Sequence, residues 1–252
     1  MHLPGSHALR SGKIASMLGN NLLALIATFA VALIFLRLMD FAAHRGWIGS
    51  QLSRKLIHIG TGPLFVVCWL LFTDAPVSRY LAALVPLLIT AQFALVGLGV
   101  IKDQAAVEAM SRSGDRREIL RGPLYYGIIF IVVTVLYWLE TPTGIVALML
   151  VCGGDGMADI MGRRYGERKL PWNKKKSWMG SLWFFIGGWL LTILVLEVFV
   201  QAGVFTGPIN TYFVKVTLIT LVVTLVESIS PPDLDNLTIA LTSLALGYFL
   251  FP

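Results

Sequence analysis

The amino-acid sequence predicts a single-domain, all-α, polytopic integral membrane protein that spans residues 1–252. Three observations support this fold class. The chain is 56% hydrophobic and only 13% charged, whereas a soluble domain carries about 25% charged residues. The apolar residues fall in runs of roughly 17–25, the length that crosses the hydrocarbon core of a bilayer as a helix. Neither an internal repeat nor a linker divides the chain.

Eight apolar runs are candidate membrane spans, so we expect about eight transmembrane helices. The fourth run is marginal and the eighth is short, which leaves seven or nine spans as alternatives. The run that follows residues 1–21 is too long for a signal-peptide core, so we expect the first helix to be retained. The predicted spans are residues 22–39, 56–72, 79–101, 124–139, 143–161, 182–201, 212–229 and 237–251.

Basic residues are concentrated in alternate loops, and this pattern predicts the orientation. The positive-inside rule places those loops in the cytoplasm and both termini on the other face. Attraction to anionic lipid is an alternative reason for the charges of the first and third loops. The acidic seventh loop, with Asp233 and Asp235, lies on the same face. The basic residues are Arg37, Arg45, Arg54 and Lys55 in the first loop, Lys102, Arg112, Arg116, Arg117 and Arg121 in the third, and Arg163, Arg164, Arg168, Lys169, Lys174, Lys175 and Lys176 in the fifth.

Asp155 and Asp159 lie near the cytoplasmic end of the fifth span. A carboxylate at this depth is costly unless it is paired, hydrated or bound to a cation. A spacing of four residues puts both side chains on one face of a helix, where they repel each other. A divalent cation would convert this repulsion into binding, and hard oxygen ligands suit Mg²⁺. We therefore predict a magnesium site at Asp155 and Asp159.

Glycines surround the two aspartates, and glycine permits either close approach to a ligand or close packing of membrane helices. Gly162 and Gly166 fit helix packing well. Gly153 and Gly154 stand directly before Asp155 and fit packing less well. We therefore count Gly154 among the ligand-binding residues.

A basic segment follows the aspartates and leads into the next span. Lys175 and Lys176 stand directly before Ser177, and Gly180 and Ser181 open the span. A lysine beside a hydroxyl at a helix start is typical of phosphate binding, because backbone N–H groups there add donors.

Two arginines, Arg163 and Arg164, have two possible roles. They could hold phosphate in a fork or extend to the membrane interface, and we expect one of them to do the latter. The chain has no Walker A sequence, so this is not a P-loop. Residues 153–181 together are predicted to form a nucleotide-binding motif.

Arg54, Lys55 and His58 share one side of the second span, because they are three and four residues apart. His58 could contact phosphate or act as an acid or base, and an ordinary anchoring role is equally compatible with the sequence.

Carboxylates elsewhere on this face are candidates for supporting roles. Glu118 stands between Arg117 and Arg121, and it could act as a base, ligate a second metal ion or pair with Arg121. Glu227 near the inner end of the seventh span, together with Asp235, could supply metal ligands opposite the fifth span.

The central motif resembles a known family. The stretch 153–181 is similar throughout to the phytol kinase and farnesol kinase branch of the membrane-bound CTP-dependent prenol kinases, which are related to dolichol kinase and more distantly to phosphatidate cytidylyltransferases. The resemblance implies CTP as donor, with UTP as an alternative, Mg²⁺ as cofactor and a prenyl alcohol as acceptor. The signature residues are Asp155, Ala158, Asp159, Gly162, Gly166, Lys176, Ser177, Gly180 and Ser181.

The resulting hypothesis is a kinase that phosphorylates phytol, geranylgeraniol or farnesol at the cytoplasmic face. Asp155, Lys176 and Glu118 are the predicted catalytic residues: Lys176 offsets phosphate charge, and Asp155 or Glu118 takes the hydroxyl proton. A cytidylyltransferase acting on a lipid phosphate is the first alternative, and a non-enzymatic transporter of anionic lipid is the second. We expect no nucleic-acid partner.

The expected location is a bacterial inner membrane, because the sequence shows no recognisable transit peptide. A plastid membrane is the alternative.

Overall fold

The computed structural model describes residues 5–111, 113–231 and 233–251, without the side chains of residues 5–18 and 50. Arg112 of the third loop therefore lies outside the described residues. Within these ranges the chain forms helices and no β-strand, which confirms the all-α class. The α-helices are α1 (Gly5–His44), α2 (Ser50–Val67), α3 (Ser78–Leu98), α4 (Gln104–Met110), α5 (Gly122–Tyr137), α6 (Thr143–Met149), α7 (Gly156–Tyr165), α8 (Trp178–Gln201), α9 (Asn210–Ile229) and α10 (Asp235–Leu250).

Seven helical segments of the described chain are long and apolar enough to cross a membrane, and they match the first seven predicted spans. The eighth predicted span corresponds to α10, whose 16 residues fall short of the roughly 20 needed to cross the hydrocarbon core. α10 packs against α6 and α9. The spanning segments are Gly19–His44, Gln51–Leu71, Ser78–Leu98, Arg116–Tyr137, Thr143–Tyr165, Trp178–Gln201 and Asn210–Ile229.

The fifth span is the central element of the fold. Inside the protein, 78% of its most apolar stretch is buried, against 39% or less for the other six spans. Its residues 145–152 are fully buried, and its neighbours include α2, α8 and α10. A span enclosed by protein can carry charged groups at membrane depth, because neighbouring helices supply their partners.

The fifth span changes helix type over the six residues that end at Asp155. α6 ends at Met149, a π-helical segment covers Leu150–Asp155, and α7 begins at Gly156. Such wider turns are rare inside helices and are frequent at functional sites. The wider turn changes the angular position of Asp155, the last residue of the segment, from the one that it would have in a regular α-helix,.

Two glycines of the π-helical segment serve helix packing. A Cβ atom on Gly153 would lie 2.8 Å from the carbonyl oxygen of Gly187, and one on Gly154 would lie 2.8 Å from the ring of Phe184. Both contacts are with α8. The expectation that these two glycines fit packing less well was therefore wrong, because α8 approaches the fifth span closely at both positions.

We expect Gly153→Ala to lower the free energy of unfolding by about 1–3 kcal/mol, the usual cost of overpacking a tight core. Thermal unfolding in detergent would measure this change. Gly49→Ala is the matched control, because an added Cβ there meets nothing within 4 Å. Equal stability of the two variants would contradict the packing role of Gly153.

Candidate active site

A buried lysine joins the two predicted metal-binding aspartates. Lys55 Nζ on α2 lies 3.1 Å from Asp155 Oδ2 and 3.5 Å from Asp159 Oδ2. His58 Nε2 lies 3.3 Å from the same Asp155 oxygen. The spacing of four residues does place both carboxylates on one side of the fifth span, as predicted. Their mutual repulsion is offset by an ammonium group of the protein itself.

A second lysine pairs with the acidic residues of α9 and α10. Lys176 contacts Glu227 closely and lies 3.5 Å from Asp235 Oδ2. Burial lowers the pKa of Lys176, but Glu227 and Asp235 outweigh burial, so the pKa lies above its ordinary value. Lys176 therefore stays positively charged at neutral pH.

Both lysine clusters border one polar cavity of about 470 Å³. Among the described residues its lining includes six basic and six acidic side chains, so the cavity carries no surplus of positive charge. The charged lining residues are Lys55, Asp155, Asp159, Arg163, Arg164, Glu167, Lys169, Lys175, Lys176, Glu227, Asp233 and Asp235.

The wall of the polar cavity includes the start of α8. Ser177 caps this helix, since its Oγ accepts a hydrogen bond from the backbone N–H of Gly180 at 3.1 Å. Gly162 and Gly166 approach the same cap closely, because an added Cβ would lie 3.4 Å and 2.4 Å from the Ser177 hydroxyl oxygen. These residues and Ser181 line the cavity. A helix start of this kind favours anions.

The basic loop between α7 and α8 is fastened to α9 by two residues that the sequence analysis did not single out. Trp172 Nε1 donates to Ser228 Oγ at 3.2 Å, and Asn173 Nδ2 donates to the Ser228 carbonyl oxygen at 3.1 Å. Within the loop, the backbone N–H of Lys176 donates to the Asn173 carbonyl oxygen at 3.0 Å. These bonds hold Lys176 beside the acidic residues of α9 and α10.

An apolar cavity of about 270 Å³ meets the polar one. It lies between α1, α2, α3 and α5, and its walls are mainly apolar side chains. Lys55, Asp155, Asp233 and Asp235 line both cavities. The two cavities therefore adjoin at the charged end of the fifth span.

Tyr126 supports the wall between the apolar cavity and the fifth span. Its hydroxyl donates to the His58 carbonyl oxygen at 3.0 Å and lies 3.3 Å from Cys152 Sγ. Its ring packs on His58 with centroids 4.6 Å apart. Its sequence position in an apolar span gave no sign of this role, because the partners come from two other spans.

The remaining predicted residues divide between the two cavities and the surface. Arg163 pairs with Asp159 at 2.9 Å, and Arg164 lies over the ring of Tyr165. Arg54 lines the apolar cavity. Arg117 is exposed and lines neither cavity. Gly154 also lines neither cavity.

Glu118 and Arg121 do not form the predicted pair with each other. Glu118 accepts hydrogen bonds from the backbone N–H and hydroxyl of Ser113, whereas Arg121 reaches across to Asp233 at 3.7 Å. Both residues line the apolar cavity. Arg121 therefore connects the third loop to the acidic seventh loop.

Among the described residues, no three His, Cys, Asp or Glu side chains are already grouped as a metal site. The donor chemistry nevertheless suits Mg²⁺, because carboxylate oxygens face the polar cavity from three helices and Mg²⁺ needs only one or two of them besides phosphates. Glu227 Oε2 is buried and has no hydrogen-bond partner within the described chain. The residues present therefore fit a hard cation.

Comparison with curated proteins identifies several similar chains. The chain is 39% identical to a probable chloroplastic phytol kinase of Triticum aestivum over 97% of this chain and 82% of that one. It is 34% identical to chloroplastic phytol kinase 1 of Arabidopsis thaliana, over 98% of this chain and 80% of that one. It is 41% identical to a chloroplastic farnesol kinase of the same plant, over 82% and 68%. No family profile and no solved structure matches the chain.

We expect Lys176→Met to lower the free energy of unfolding by about 3–5 kcal/mol, because it leaves the buried Glu227 carboxylate without its partner. The double variant Lys176→Met with Glu227→Gln should recover most of this loss. Thermal unfolding in detergent would measure both. Lys174→Met, at an exposed position of the same loop, is the control. If the double variant is no more stable than the single one, the buried pair is not the source of the loss.

Proposed function

Since the chain belongs to the phytol and farnesol kinase family of lipid-alcohol kinases, we propose that it transfers the γ-phosphoryl group of CTP to a prenyl alcohol. Phytol, geranylgeraniol and farnesol are the proposed acceptors, and UTP is the alternative donor. The observation that carries the proposal is the junction of a polar and an apolar cavity at Asp155 and Lys55. A nucleotide from water and an alcohol from lipid can meet there.

The polar cavity is the proposed nucleotide site. The start of α8 at Ser177 offers backbone N–H donors, and Lys176, Lys175 and Arg164 add positive charge. Phosphoryl transfer depends mainly on positioning and on neutralising the charge of the phosphates. Lys176 is the best placed cation, because Glu227 and Asp235 fix its position.

Mg²⁺ is the proposed cofactor, and Asp155 and Asp159 would hold it, with Glu227 and Asp235 as further ligands. The charge of the cavity supports this proposal. Its acidic and basic lining groups are equal in number, so they cannot by themselves neutralise a triphosphate. The cation would supply the missing positive charge on the phosphates.

The hydroxyl proton of the alcohol must leave as the phosphoryl group arrives. We propose that His58 accepts this proton. His58 Nε2 lies 3.1 Å from the carbonyl oxygen of Val151 and 3.3 Å from Asp155 Oδ2. Both partners are acceptors, so Nε2 carries the hydrogen and the neutral ring keeps Nδ1 as its acceptor. Asp155 then orients the ring. Glu118, another candidate base, is already hydrogen-bonded to Ser113.

The basic loops favour a site that faces the nucleotide-containing compartment. In a bacterial inner membrane, the location expected from the sequence, this is the cytoplasm. The relatives are named as chloroplastic, and in a plastid membrane the equivalent face would be the stroma.

The deciding measurement is a product assay on detergent-purified protein with Mg²⁺, γ-labelled CTP and a panel of prenyl alcohols. We expect label in a lipid monophosphate and unlabelled CDP. Release of pyrophosphate with formation of a CDP-lipid would instead establish the cytidylyltransferase. Lipid binding without any turnover is what the transporter alternative predicts.

Asp155→Asn and Lys176→Ala should each reduce kcat by at least about 100-fold, the usual effect of removing a charge that stabilises the transition state. Lys174→Ala is the matched control, because Lys174 lies in the same loop outside the polar cavity. Thermal unfolding of each variant shows whether the fold is retained. Wild-type turnover in both site variants would overturn the assignment.

His58→Gln should lower kcat by roughly 10²–10⁴-fold, the range of general base catalysis, while the KM for CTP stays near its wild-type value. His44→Gln is the control, because His44 is an exposed residue at the end of α1. A fall in kcat of less than tenfold would show that the proton leaves by another group, and Glu118→Gln would then test one of the two remaining candidates, Asp155 and Glu118.

A further inference from the structure

The inner end of the apolar cavity lies between the second, third and fourth spans. From His58 to Phe65, α2 lines it over roughly 10 Å of helix rise, and α3 lines it from Phe93 to Val85 over roughly 12 Å,. An alcohol whose hydroxyl lies at His58 therefore extends its chain toward Phe65 and Val85.

Phe65 and Phe130 line this inner end, with Trp69 and Trp138 packed behind Phe65, and we call these four side chains the aromatic floor. The rings of Phe65 and Phe130 meet with centroids 5.9 Å apart. Trp69 stands behind Phe65 at 6.0 Å, and Trp138 stands behind Trp69 at 5.0 Å. All four side chains are buried. A close-packed group of this kind does not move aside cheaply, so it forms a rigid end to the cavity.

We propose that the aromatic floor sets the longest prenyl chain that the enzyme accepts. The inference rests on the proposed function. The distance from His58 to the floor, roughly 10–12 Å of helix rise, is far shorter than a polyprenol, so we expect polyprenols to be excluded. Selection is by length, because the walls between His58 and the floor are mainly apolar side chains. They offer few polar groups that could distinguish one type of prenyl chain from another.

A second route for a long chain lies sideways, between α1 and α3. Ala32 and Leu36 of α1 and Ile89 of α3 line that side of the cavity, and all three are only half-buried. The floor residues Phe65 and Phe130, by contrast, are 7% and 4% exposed. A chain that left sideways would not contact the floor, so the two routes predict different responses to mutation of the floor.

The test compares kcat/KM for farnesol, geranylgeraniol, phytol and a polyprenol between the wild type and floor variants. Phe65→Ala and Phe130→Ala deepen the cavity and should raise the polyprenol-to-farnesol ratio roughly tenfold or more, the scale on which apolar pockets discriminate by size. Val85→Phe fills the inner end and should lower the geranylgeraniol-to-farnesol ratio by a similar factor. Geranylgeraniol and phytol have the same length, so their mutual ratio should not change.

Two controls separate chain selection from general damage. Phe249→Ala removes an aromatic ring that is 77% exposed on α10, and it should leave all ratios unchanged. The KM for CTP reports on the nucleotide site and should stay constant in every folded variant. If Phe65→Ala does not fold, Phe65→Leu provides a smaller deepening, and Val85→Phe still tests the opposite direction.

The outcomes distinguish this inference from the function on which it rests. If the wild type phosphorylates none of the alcohols, the proposed function fails. If the wild type is active and the length ratios stay unchanged in both the deepened and the filled variants, the floor does not select chain length. The chain then extends along a route that does not meet the floor, such as the one between α1 and α3, and the inference is overturned.

Discussion

The buried ion pair between Lys55 and Asp155 is the contact on which the rest of the site depends. Removing two charges from water costs several kcal/mol per ion, and only close partners in good geometry recover that cost. Here the lysine belongs to α2 and the aspartate to the enclosed fifth span. The pair therefore fixes α2 against the centre of the fold. Because α2 also carries His58 and Phe65, this one contact positions the polar cavity, the candidate base and the inner end of the apolar cavity together.

A second set of contacts fixes the position of Lys176 beside the acidic residues of α9 and α10. The loop that carries this residue has no regular secondary structure, yet Trp172 and Asn173 fasten it to the end of α9. Two lysines from distant parts of the sequence thus approach the same group of carboxylates. Together with the four other basic residues of the lining, they match the six acidic residues in number, which keeps the polar cavity close to neutral before any ligand binds.

The sequence was sufficient for the features that local patterns determine. Hydropathy located the seven spans, because an apolar run of sufficient length has few other uses. The residues of 153–181 that line the polar cavity are mostly those chosen from spacing, charge and the family resemblance. Contacts between residues that are far apart in the sequence could not be predicted from local patterns. Lys55 is 100 residues away from Asp155, and the residues near Lys55 in the sequence do not indicate that Asp155 is its partner.

Other differences between the sequence predictions and the structure also have physical causes. Gly153 and Gly154 resemble ligand-binding glycines in sequence, and only the approach of α8 shows that they make room for a helix. Arg121 has Glu118 three residues before it, yet it pairs with Asp233, because the folded chain brings the seventh loop nearer. In the sequence, Tyr126 looks like an ordinary aromatic residue of an apolar span. Its role depends on the second span, which brings the carbonyl oxygen of His58 within hydrogen-bonding distance of its hydroxyl.

The junction of the two cavities has a consequence for how such an enzyme depends on concentration. With the proposed function, each substrate reaches Asp155 from its own phase, so the alcohol need not be extracted into water and the nucleotide need not enter hydrocarbon. The concentration that governs occupancy of the apolar cavity is then the mole fraction of alcohol in the bilayer, and the amount of alcohol per volume of solution is irrelevant. The product keeps its chain in lipid and its new phosphate at the surface, so it departs by lateral diffusion within the membrane plane.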